Sequence, residues 1–132
     1  MVSWKTYDSV NRANFKDPKY ITIHRALALD DDEVEEIAQL IEKLHHEHTF
    51  HKGHVGQGPL KRAARLRAMV KIRAYADRVD IDYDDHYAHM NGKFIYVLAT
   101  GNWRVKGRKP WYNSKSPEHF IENYVLKSPF DN

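Results

Sequence analysis

The 132-residue chain contains no cysteine. Disulfides, thiolate metal sites, iron–sulfur clusters and cysteine nucleophiles are therefore excluded, and any bound metal must use His, Asp or Glu. Long hydrophobic runs are missing too. No segment approaches the ~20 apolar residues that span a bilayer, and "MVSWKTYDSVNRANFKDPKY" holds no apolar stretch of signal-peptide length. The expectation is a soluble cytoplasmic protein with no membrane partner. Catalytic signatures are equally scarce: GxSxG, HExxH and GxxxxGK[ST] do not occur.

What is present is ordinary for a globular domain, with 42% hydrophobic and 30% charged residues. No repeat or linker interrupts it, so one domain over 1–132 is expected, burying roughly two-thirds of the surface its unfolded chain exposes. The net charge of +3 and pI near 9.0 are mildly basic, but the charges come in blocks. Asp30, Asp31, Asp32, Glu33, Glu35, Glu36, Glu42 and Glu47 face only Lys43 in their stretch, and Lys61, Arg62, Arg65, Arg67, Lys71, Arg73 and Arg78 face only Asp77. Five aspartates follow in 77–85, and Arg104, Lys106, Arg108, Lys109 and Lys115 lie in a stretch without acids. Such blocks either pair with one another or mark surfaces for a charged partner.

The pattern of residues predicts an α+β domain in the order β-α-α-β-β-β-α, with a mostly antiparallel sheet and helices on one face. "YITIHRALAL" (20–29) reads as a strand. Asp30 as N-cap with Glu33 three residues on forms a capping box, Leu29 and Val34 have staple spacing, and Val34, Ile37, Leu40, Ile41 and Leu44 give a helical face to about Glu47. A second helix runs from Pro59 to about Asp77. Strands follow at 79–90, 93–100 and 103–109, with turns at Asn91-Gly92 and Gly101-Asn102. The rival reading continues the second helix through His89 and ends it at Asn91-Gly92. Ser116-Pro117 opens a last helix to about Leu126.

Five of the nine histidines fall between 45 and 54. His45, His48, His51 and His54 are three apart, but Thr49, Phe50 and Gly53 suit a helix poorly, so only His45 and His48 share a helical face and the cluster reads as a solvated loop without a metal. "DDHYAH" (84–89) offers carboxylates and imidazoles; on a strand Asp84 and His86 share one side and His89 points to the other.

The constellation with most chemical content is "GHVGQGPLKRAAR". Gly56 and Gly58 admit a ligand close to the backbone, and Lys61, Arg62 and Arg65 add positive charge to a helix start whose free N–H groups favour an anion. "GQGPLKRAARLRA" resembles the end of a double-stranded RNA-binding domain in Gly56, Gly58, Lys61, Arg62, Ala64 and Ala68. Leu60 stands where that family has a small hydroxyl residue and no three strands precede the turn, so the likeness is one of a phosphate-binding helix start. "GNWRVKGRKPWYNSK" interleaves Trp103 with Arg104, Lys106 and Arg108, a pattern that stacks on bases while contacting phosphates.

These features point to a small binding protein for nucleic acid or a nucleotide, using Gly56, Gly58, Lys61, Arg62, Arg65, Trp103, Arg104, Lys106 and Arg108, with no cofactor and no catalysis. Two alternatives remain. One is an inhibitor or adaptor of a host protein, since the chain is similar in general character to small phage-encoded regulators. The other is a metal-assisted phosphoester hydrolase drawing on His45, His48, His86, His89, Asp84 and Asp85.

Overall fold

A computed structural model of the chain describes residues 21–52, 58–105, 110–112 and 116–126, with side chains outside 48–52 and 110–112. The fold is α+β, built from helices and an antiparallel sheet. Two compact units divide it, 1–67 and 68–132.

In the first unit the expected strand at 20–29 is a short helix, α1 (Ile23–Ala26). Thr22 caps it, its hydroxyl accepting from the Arg25 N–H at 3.2 Å. The buried residues are Ile21, Ile23, Ala26 and Leu29, a spacing of two, three and three in place of strict alternation. The β-branched run Ile21–Ile23 suggested a strand, but the cap and the following Ala-Leu-Ala sequence decide the local structure.

Helix α2 (Asp31–Lys52) begins as its capping box dictates. Asp30 Oδ1 accepts from the Glu33 N–H at 2.9 Å, and Glu33 Oε1 accepts from the Asp30 N–H at 3.4 Å. Val34, Ile37 and Ile41 are buried and Leu40 and Leu44 half-buried. The helix does not stop near Glu47. It carries Thr49 and Phe50 through to Lys52, so His45, His48 and His51 all lie on it, a correction to the loop reading; His54 lies outside the described residues.

Two basic residues of α3 (Gly58–Arg73) are used inside this unit. Arg62 Nη1 donates to the carbonyl of Ile21. Arg67 donates to Glu35 at 2.9 Å and to Glu42 at 2.6 Å, so part of the acidic block and part of the basic block neutralise each other. Hydrogen bonds from Arg67 hold both carboxyls below the usual range, and they outweigh the opposing effect of burial. A depressed folded-state pKa contributes stability above the unfolded value, about 4.3 for Glu, that is lost as pH falls through the folded value. Arg67→Ala is therefore expected to lower stability by about 1 kcal/mol near neutrality and to flatten its decline in acid. Urea midpoints of both proteins at neutral and acid pH check this; identical acid slopes would contradict it.

In the second unit α3 ends at Arg73, short of Asp77, because Tyr75 and Ala76 bond back three residues, to Ile72 and Arg73, and tighten the chain into turns. The sheet has five strands in sequence order: β1 (Ile81–Tyr83), β2 (Tyr87–Met90), β3 (Phe94–Val97), β4 (Asn102–Val105) and β5 (Pro110–Tyr112). The single strand expected over 79–90 is a hairpin. Asp84 Oδ1 accepts from the backbone N–H groups of His86 and Tyr87, each at 2.8 Å, and this Asx turn separates β1 from β2.

Asn91 and Gly92 take φ of 53° and 68°, and the Lys93 N–H closes their turn on the Met90 carbonyl. This settles the hairpin against the continued-helix reading. Asn91 also holds the start of β1, its Oδ1 accepting from the Asp80 N–H at 2.9 Å. The next turn is longer than expected: Val97 pairs with Asn102 across residues 98–101, with Gly101 at φ 73°. The strand expected at 103–109 ends at Val105, residues 106–109 lie outside the described residues, and β5 is an added edge strand opening on Pro110, where a proline costs no ladder bond.

Ser116 caps α4 (Pro117–Phe120), accepting from the His119 N–H at 3.1 Å. The chain then widens into a π-helical segment, Ile121–Val125. Phe120, Ile121 and Val125 are buried. The Phe120 ring stacks on Trp103 at 3.7 Å between centroids and meets Phe94 edge-on at 5.7 Å, which fixes α4 to one side of the sheet.

Candidate nucleic-acid interface

Strand alternation gives the sheet two chemically different sides. Ala88, Met90, Phe94, Tyr96 and Trp103 are buried on one. The residues between them, Tyr87, His89, Ile95, Val97, Asn102 and Arg104, are half-buried on the other, and Asp82 there is exposed. The pairing register aligns four of these in a row across four neighbouring strands: Asp82 opposite His89, His89 opposite Ile95, Ile95 opposite Arg104. At about 4.8 Å per strand the row is ~14 Å long, with an acid at one end and a base at the other.

Tyr87 places a half-buried ring on this side. The Arg104 guanidinium lies over it, 5.6 Å from the centroid. His86 and His89 meet it edge-on, each at 6.1 Å. Arg104 Nε is enclosed and has no acceptor among the described residues. A cation held over an aromatic ring is suited to a ligand that brings both a π-face and oxygen acceptors.

Asp84 pairs with His89 through Oδ2 and Nε2 at 3.1 Å. Burial pushes its carboxyl up, but hydrogen bonds from the His86 N–H, the His89 ring and the Tyr87 N–H together bring it below the ordinary range. The expected pairing of Asp84 with His86 on one side of a strand is corrected here: Asp84 stands in a turn, where alternation does not apply, and it reaches His89. Beside this pair a surface depression of about 350 Å³ is lined by Asp82, His89, Gly92, Phe94 and Ile95.

The residues singled out from the sequence are distributed unevenly. Trp103 is the clear correction. It is fully buried between Tyr96, 3.8 Å away, and Phe120, so it is a core ring and cannot offer a face to a base. Arg104, its neighbour, points to the open side for the same reason of alternation. Gly58 is the exposed first residue of α3, Lys61 is exposed, and the first turn of that helix carries no acid. Arg62 is committed to the Ile21 carbonyl. Arg65 is half-buried, its Nε enclosed without an acceptor among the described residues. Gly56, Lys106 and Arg108 lie outside the described residues. Sequence reasoning passed over Tyr87 and Asp82 and weighed His89 only as a metal ligand, although "YAHM" alternates half-buried and buried positions as plainly as any strand in the chain.

Among the described residues no three His, Asp or Glu side chains come together to hold a metal ion, and no helix is long and apolar enough to cross a membrane. Comparison with protein-family models, curated proteins and solved structures found no match.

Proposed function

We propose that the protein binds a phosphate-bearing partner, single-stranded nucleic acid or a nucleotide, by contact and without catalysis, through the open side of its sheet. The observation that carries this reading is the Arg104 guanidinium held over the Tyr87 ring on the side of the sheet opposite the core. Every base has a π-face to lay against a guanidinium backed by an aromatic ring, and the same arginine answers the adjoining phosphate. In the first unit the start of α3, with exposed Lys61 and no acid in its first turn, supplies a further positive surface.

Fluorescence anisotropy with labelled single-stranded RNA and DNA tests this across a salt series. Affinity is expected to fall steeply with salt as neutralised phosphates release counterions. Arg104→Ala weakens binding and reduces the salt slope by about one unit. Tyr87→Ala weakens it about 5- to 100-fold with little change of slope, as loss of a stacking partner does. Absence of binding to any strand at low salt would overturn the proposal.

A further inference from the structure

The depression beside the Asp84–His89 pair sits at the acidic end of the row that Arg104 ends. Asp82 is exposed on its rim and has no ion pair among the described residues. Gly92 keeps one wall open, since a side chain added there would find no heavy atom within 4 Å. Ile95 lends an apolar surface, and His89 is held in place by Asp84. A free carboxylate over an apolar hollow, ~14 Å along the sheet from an arginine, asks for a ligand with two neighbouring N–H donors on a flat body and a phosphate further along.

Resting on the reading above, we infer that the depression selects guanine: Asp82 accepts from the base N1–H and N2–H, the ring lies against Ile95, and the attached phosphate runs toward Arg104. The Watson–Crick edge of guanine presents those two donors side by side. Adenine presents a donor beside an acceptor, and cytosine and uracil have no such pair either. A carboxylate, which only accepts, therefore discriminates for guanine on chemistry alone. The opposite charges at the two ends of the row also fix the direction in which the ligand lies, base to β1 and phosphate to β4.

Two sources of guanine fit, a residue within a strand and a free nucleotide. Binding is measured for oligouridine with and without a central guanosine, and for GMP, IMP and AMP. A preference of about 5- to 100-fold for guanine is expected, the discrimination of a good bidentate contact, with IMP intermediate because it lacks the N2 amino group. Preference confined to the oligonucleotides identifies the strand as ligand; preference shown by GMP itself identifies the nucleotide, and both support the inference. Asp82→Asn should abolish the preference while leaving the melting temperature unchanged, since this side chain is exposed. Equal affinity for all bases, with dependence on Arg104 and Tyr87 retained, would overturn the guanine assignment and leave the nucleic-acid reading standing. Loss of all binding, oligouridine included, would overturn both.

Discussion

Trp103→Ala is expected to destabilise the protein by about 3 to 5 kcal/mol, the range for removing a large buried ring. Its ring is fully enclosed, with Phe120 stacked at 3.7 Å and Tyr96 at 3.8 Å. The neighbours are themselves held from several sides. Phe120 is anchored by the capped start of α4 and by Tyr124 at 5.1 Å, and burial pushes the Tyr96 hydroxyl up to about 12. Such rings cannot collapse into the space left behind, so the cavity term adds to the lost transfer energy. Arg104→Ala, one residue along the same strand, supplies the contrast: it removes a half-buried side chain from the other side of the sheet and should cost less than about 1 kcal/mol. Chemical denaturation of the two variants checks the pair. Equal losses would contradict the assignment of the two faces.

The second large effect is expected at Gly92. Its φ of 68° lies in the left-handed region, and no atom would touch an added Cβ, so the cost of substitution is conformational. Gly92→Val should destabilise by about 1 to 3 kcal/mol because a β-branched residue is strained there. Gly92→Asn should cost well under half of that, since asparagine tolerates this conformation. The position matters beyond the turn itself, because the Asn91-Gly92 hairpin sets the β2–β3 register, which aligns His89 with Ile95 in the middle of the row from Asp82 to Arg104. A valine variant as stable as the parent would mean that the turn is not what fixes the register.

The readable parts of this chain were those where local chemistry and tertiary structure agree. Asp30 and Glu33 announced the start of α2 because a capping box satisfies backbone donors whatever surrounds it. Asn91-Gly92 announced a hairpin because few residues accept two positive φ angles in succession. Where the two levels compete, the sequence misled. The β-branched residues of 21–23 suggested a strand, yet Thr22 caps a helical turn. Thr49 and Phe50 argued against helix, yet α2 continues past them. The site was half legible. Grouping Trp103 with Arg104 ignored the two-residue period that sends them to opposite sides, and the same period, applied to "YAHM", separates Tyr87 and His89 from buried Ala88 and Met90. The row from Asp82 to Arg104 depends on pairing register across four strands, which no local pattern encodes.

Amide chemical-shift mapping during titration with a short guanosine-containing single strand tests most directly whether the open side of the sheet, and not its buried side, meets the ligand. Shifts are expected to concentrate at Asp82, Tyr87, His89, Ile95 and Arg104. Shifts confined to other surfaces, or none at saturating strand, would contradict the account.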